Sequence, residues 1–231
     1  MKLRFRLLPA ALALLTTTAT SIHLAAEPEP LDFAALQKGG KLTVHNRDFA
    51  AVALGERSAV QFDARPGDGL AWLNDGAFAT GVIECDIQGR NRPGASFVGL
   101  AFHGLNANTF EAVYFRPFNF ASADPARRAH SVQYISAPEH DWPDLRQSHP
   151  GVYESDLTPA PDPEAWLHAR IIVEARRVSV FVNSATEPCL VVERIPDHAS
   201  GWVGLWVGNG SDGMFANLKI TPDEQATSGK Q

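Results

Sequence analysis

Glu111 and His168 are the two residues best suited to acid–base chemistry, and both stand in segments that alternate with period two. A histidine titrates near neutrality and a glutamate beside it can give or take a proton, so the two form the candidate catalytic pair. Glu111 falls by parity with Val113 and Phe115, whereas Ala112, Tyr114 and Arg116 share the opposite face of FEAVYFRPF. Arginine offers a planar fork of donors and tyrosine a ring with a polar tip, so Tyr114 and Arg116 are candidate ligand contacts. The alternative is an Arg–Glu pair that holds structure. His168 shares its face with Trp166 and Arg170, and a hydrogen-bonded structural histidine is the competing interpretation.

A second set lies in and beside a proline-rich stretch: His130, Gln133, Tyr134, Trp142 and Arg146. Flat aromatic faces that meet C–H surfaces, with amides and guanidinium groups that direct hydroxyls, are what a sugar site uses. Equally, Tyr134 and Trp142 can pin the stretch to a sheet. Trp206, set between Gly204 and Gly208 with Asn209 close by, is the best single stacking platform. The glycines leave its indole uncovered unless the segment 119–164 lies over it.

Metal chemistry has little support. The eight histidines form neither HxH nor HExxH. Asn209 to Gly213 carries oxygens suited to calcium, but a turn explains them. No metal ligands and no cofactor are therefore assigned. Neither a Gly-rich phosphate loop nor a GxSxG elbow occurs.

These residues need strands to position them. SAVQFDA (58–64), GLAWL (69–73), GVIECDIQ (81–88), SFVGLAFH (96–103), FEAVYFRPF (110–118) and HSVQYIS (130–136) read as strands. So do 166–173 and 177–183, which form a hairpin, and 189–195. GWVGLWVGNGSDGMFANLKI (201–220) reads as two strands joined by a tight turn, Phe215 to Ile220 pairing back on Trp202 to Val207. About ten strands and no long helix predict an all-β, two-sheet jelly-roll sandwich with one long Pro-rich covering segment, 119–164. Leu31 to Leu36 is a helical turn or irregular. Asp141 can cap a helical turn over 141–147, with Pro143 in its first turn.

Met1 to Ala26 has a basic start, a short apolar run and a small-residue end, the pattern of a cleaved signal peptide. A lead-in (27–30), one domain (31–222) and a disordered tail (223–231) complete the organisation, and a secreted or periplasmic location follows. The apolar run is shorter than the roughly 20 residues that span a bilayer, so no membrane insertion is expected. A net charge of −6 with no basic cluster argues against nucleic acid and anionic membrane as partners and leaves neutral glycans open. Oligomeric state has no sequence signature. Cys85 and Cys189 are the only cysteines, and export permits a bridge between them, while Cys85 also suits a core position.

GVIECDIQG, FEAVYFRPFNF, HSVQYIS, WLHARIIV, VSVFVNS and GLWVGNGSDGMFANLKI together resemble a concanavalin A-like (laminin-G-like) jelly roll over roughly Leu31 to Pro222. More narrowly they are similar to the bacterial exported domains grouped with 3-keto-disaccharide hydrolases. The resemblance implies glycan recognition on a concave aromatic and polar face. The alternatives are a hydrolase or lyase on a (3-keto) glycoside, with Glu111 and His168 as acid and base, and a protein–protein scaffold. Glycoside hydrolases of this fold carry two glutamates on a Glu-x-Asp-x-(x)-Glu strand. Glu84 and Asp86 match its start, but Gln88 and Gly89 stand where the second glutamate belongs.

Overall fold

The computed structural model describes residues 28–54, 57–74, 76–195 and 198–223. The expected signal peptide and, apart from Asp223, the tail lie outside the described residues. Among the described residues, fourteen strands occur in chain order: β1 (Leu42–His45), β2 (Phe49–Leu54), β3 (Arg57–Phe62), β4 (Gly69–Leu73), β5 (Gly81–Gln88), β6 (Val98–Gly104), β7 (Phe110–Phe115), β8 (Val132–Ala137), β9 (Glu154–Ser155), β10 (Leu167–Val173), β11 (Arg177–Val182), β12 (Leu190–Glu193), β13 (Trp202–Val207) and β14 (Gly213–Pro222). Four short helices accompany them among the described residues: α1 (Phe33–Lys38), α2 (Pro117–Phe120), α3 (Pro125–Arg128) and α4 (Trp142–Ser148).

The strands make two seven-stranded antiparallel sheets, β1-β4-β13-β6-β7-β8-β9 and β12-β11-β10-β5-β14-β3-β2. This is the all-β jelly-roll sandwich that the strand pattern predicts. Alternation assigns the faces. In β5, Ile83, Cys85 and Ile87 are buried toward the other sheet, while Glu84, Asp86 and Gln88 point out. Val98, Leu100, Val113, Phe115, Leu205 and Val207 supply the first sheet's inner face. Across the second sheet Phe33, Phe49, Phe62 and Phe215 meet edge to face in series, at centroid separations of 6.3, 5.5 and 5.6 Å. Phe33 reaches this core from α1, whose start is fixed by Asp32 accepting from the Ala34 and Ala35 amides.

One expectation is corrected. The stretch 201–220 is not a hairpin: β13 pairs with β4 and β6 in one sheet, and β14 with β3 and β5 in the other. Its glycine-rich turn arches between sheets, a span of about 10 Å. Gly208 N–H donates to Phe97 O, Phe97 N–H donates to Ser211 Oγ, and Asp212 pairs with Arg90 at 2.7 Å. Within the segment 119–164, the strand expected at 130–136 is β8, and β8 and β9 complete the first sheet.

The cysteines are both free. Cys85 lies in the core and donates to Ala216 O; Cys189 donates to Val180 O at the far edge of the same sheet. Burial pushes both thiols up, Cys189 to about 12. No helix among the described residues is long and apolar enough to cross a membrane.

Candidate functional site

The outer face of the first sheet carries most of the sequence-predicted ligand residues. Register places His45, Leu70, Trp206, Gly99, Tyr114 and Gln133 in one row across β1, β4, β13, β6, β7 and β8. The next row is Trp72, Gly204, Ala101, Ala112 and Ile135. Large rings thus alternate with residues that have little or no side chain. A Cβ on Gly204 would stand 2.6 Å from Trp72 Cε3, so the glycine exists to admit that ring. The uncovered indole expected at Trp206 is not observed: the residue is 4% exposed and packs on Tyr114 at 4.8 Å.

Arg116 organises the polar part. It donates to Tyr114 Oη at 2.7 Å and to His130 O at 3.0 Å, and Gln133 Oε1 lies 3.4 Å from its NH2. Its guanidinium carbon sits 4.9 Å from the Tyr114 ring centroid and 5.8 Å from that of Trp142. Asp141 starts α4 by accepting from Trp142 N, which carries Trp142 and Arg146 to the rim. Arg146 grips Glu154 with Nε and NH2, and stacks over Trp142 at 4.8 Å. His130 Nδ1 approaches Glu154 Oε2 at 2.8 Å without in-line hydrogen-bond geometry. Desolvation lowers the Arg116 guanidinium and the His130 imidazole and raises the Tyr114 phenol, with neighbouring charges modulating each.

The cluster therefore gathers Tyr114, Arg116, His130, Gln133, Trp142, Arg146 and Trp206. Tyr114, Arg116, Gln133 and Trp206 are buried in it, and Trp142, Arg146 and His130 remain partly exposed. Asn209 acts beside it as a brace: Oδ1 accepts from Gly67 N at 2.8 Å and fixes the β3–β4 turn.

That turn forms one wall of an open groove of about 640 Å³ on the same outer face. Leu70, Phe110, Ile135 and Ala137 make an apolar floor, and His45, Asn46, Asn108, Asp68 and Asp141 make a polar rim. Asp68 and Asp141 escaped sequence reasoning as groove residues because one sits in a Pro-Gly turn and the other serves as a helix cap. Glu154 escaped it because a two-residue strand has no period. Desolvation and then the nearby Asp141 charge raise the Asp68 carboxyl, with Arg47 opposing.

Glu111, His168 and Trp166 are not brought to this groove. Glu111 faces between the sheets, fully buried, and accepts from Tyr134 Oη at 2.6 Å and from Arg194 NH2 at 2.7 Å. His103 Nδ1 lies 2.6 Å from its Oε1, and His103 Nε2 donates to Ala79 O. Despite desolvation, these partners hold the Glu111 carboxyl below the usual range. His168 stands on the outer face of the second sheet, its Nδ1 2.8 Å from Asp86 Oδ1 and its Nε2 3.5 Å from Glu84 Oε1. Asn217, at a bulge with φ of 52°, donates to the other Asp86 oxygen. Trp166 shares the parity of His168. The proposed acid and base thus occupy different sheets and opposite sides of a core, and the Glu84/Asp86 strand faces the same way as His168.

The fold is a galectin- and concanavalin A-like jelly roll. No family model matches the chain, and no curated protein matches it in sequence. Solved structures do match in fold. The carbohydrate-binding module CBM66 from Bacillus subtilis superposes with a TM-score of 0.56 at 14% identity, over 77% of this chain and 93% of that one. A protein of unknown function with a galectin-like fold, also from Bacillus subtilis, gives 0.54 at 11% identity over 84% and 94%. The glycoside hydrolase family 16 endo-glucanase from Bacteroides ovatus gives 0.52 at 10% identity over 78% and 94%. At these identities the likeness is one of fold.

Proposed function

We propose that this protein is an exported carbohydrate-binding domain that holds a glycan in the outer-face groove of the first sheet. The observation that carries the reading is the groove itself, with a floor of Leu70, Phe110, Ile135 and Ala137 beneath a rim of amides, carboxylates and an imidazole. Sugars present apolar C–H faces and a ring of hydroxyls, and this division of surfaces matches them. The neighbours lend support: one is a carbohydrate-binding module and one is an endo-glucanase in complex with G4G3G-2F-DNP. Export rests on the Met1–Ala26 pattern, and a mature N-terminus near Glu27 is the expected result of N-terminal sequencing.

The decisive experiment is a tryptophan-fluorescence titration of the mature protein against a glycan panel, with 3-keto-disaccharides included because of the family resemblance. A saturable change is expected, and it should vanish in Ala107→Trp, which adds a ring at the groove without removing a core contact. Binding that survives this substitution in a folded variant places the glycan elsewhere. Product analysis on the same samples addresses the hydrolase alternative, which has one observation in its favour: Asp68 and Asp141 both line the groove.

A further inference from the structure

The groove's charge points to a narrower class of ligand. Its lining includes two carboxylates, Asp68 and Asp141, and one histidine, His45, with neither lysine nor arginine. The cations near these acids do not line the groove and are already engaged, Arg47 and Arg116 buried and Arg146 partly exposed. Arg47, 6% exposed, donates to the carbonyls of Asn46, Gly67 and Gly208. Arg116 is committed to Tyr114 and His130 O, and Arg146 to Glu154. What a ligand meets first is negative.

A second observation marks the same wall. Trp206, 4% exposed, lies behind Asp68, and its indole N–H steadies the Asp68 carboxylate against desolvation. Desolvation and then the Asp141 charge raise the Asp68 carboxyl, and a ligand that brings a positive charge to this rim offsets the second of these.

We infer that the groove selects glycans bearing a free amine, such as glucosamine-type residues, over neutral sugars, and excludes uronates. The inference rests on the glycan-binding reading. The amine contributes a charge-assisted hydrogen bond to the Asp68 and Asp141 rim while the pyranose C–H face lies on Phe110 and Ile135. The two partly exposed charge pairs together give an affinity advantage of about tenfold over the N-acetylated counterpart.

The test is calorimetric titration at neutral pH and low salt with a matched set: a glucosamine oligosaccharide, its N-acetylated form, the glucose homologue and a uronate oligosaccharide. Asp68→Asn/Asp141→Asn is the informative variant, because asparagine caps a helix about as well as aspartate and α4 is retained. The amine should bind about tenfold more tightly than the neutral forms, and that ratio should fall to about one in the double variant, whatever loss of affinity the two forms share. Neutral sugars binding as tightly as the amine, or the uronate binding best, would overturn the charge selection and leave the glycan reading standing. An amine preference that survives both the double variant and Ala107→Trp would also overturn it, since the charge would then be read elsewhere. If no saccharide binds to folded protein, both readings fail.

Discussion

Removing the Glu111 carboxylate should destabilise the fold without touching the groove. Glu111 is fully buried, and its two oxygens meet Tyr134 Oη, His103 Nδ1 and the Arg194 guanidinium at 2.6 to 3.2 Å. Arg194, which follows β12 of the second sheet, also donates to Ala175 O and His198 O, so the carboxylate ties the first sheet to the far edge of the second. In Glu111→Ala, Arg194 stays buried with its countercharge gone, a situation that costs about 3–5 kcal/mol. With a urea m-value of about 2 kcal/mol/M, the midpoint should fall by about 1.5–2.5 M. Glu84→Ala, on the outer face, should cost less than about 1 kcal/mol. In a double-mutant cycle, Glu111→Ala/Arg194→Met should be less destabilised than the two single changes added together. The folded carboxyl is held below its unfolded value, so its contribution is present above the unfolded pKa and fades as pH falls through the folded one. The wild-type advantage over Glu111→Ala should therefore shrink in acid. A loss under about 1 kcal/mol, or a loss of glycan binding with stability unchanged, would refute the structural assignment and restore Glu111 as a site residue.

Three further outcomes can be checked directly. The His168 imidazole is raised mainly by its hydrogen bond to Asp86, so its contribution to stability is present below the unfolded pKa and lost as pH rises through the folded one; NMR titration should show the folded pKa above that of free histidine in wild type and lower in Asp86→Asn. Gly204→Ala would drive a methyl to 2.6 Å from Trp72 Cε3 and 2.7 Å from Ala71 O, and the overpacking should cost about 1–3 kcal/mol by thermal or urea unfolding, whereas Gly151→Ala, with open space but a φ of 74°, should show only backbone strain. Burial keeps both thiols protonated, so a thiol reagent should react slowly with native protein and titrate two groups after unfolding, while an unreactive unfolded chain would mean that Cys85 and Cys189 had bridged.

The sandwich was legible because its inner faces obey period two: Ile83, Cys85 and Ile87, or Leu167, Ala169 and Ile171, announce a strand without reference to any partner. Pairing was not legible at 201–220. A glycine-rich turn suits a hairpin and an inter-sheet arch equally, and what separates them is the identity of the neighbours, β4 and β6 against β3 and β5, which local pattern does not encode. β2 was missed because FAAVAL sits at a sheet edge with most of its residues outside the core, so it carries no alternation of burial. Parity did assign Glu111 correctly to the apolar face, and that same assignment separates it from His168.

The buried aromatic cluster shows why residue type alone overestimates a binding site. Tyr114, Arg116, Gln133 and Trp206 have the chemistry of sugar contacts, yet each makes protein contacts in that capacity: Arg116 reads the Tyr114 hydroxyl and the His130 carbonyl, Gln133 donates to the carbonyls of Tyr134 and Tyr153, and Trp206 lies on Tyr114. Under the glycan-binding proposal, their effect on a ligand is exerted through what they position. Arg116 lies under Trp142, next to the Asp141 cap of α4, while Trp206 backs Asp68, so the two acids of the groove rim are set from below by the two halves of one cluster. A substitution such as Arg116→Lys keeps the charge but loses the planar fork that bridges Tyr114 to His130 O. It should therefore disturb the rim at Asp141 and weaken ligand binding even though Arg116 does not line the groove, whereas Glu111→Ala, equally buried but on the inner face, should leave binding intact once the protein is folded.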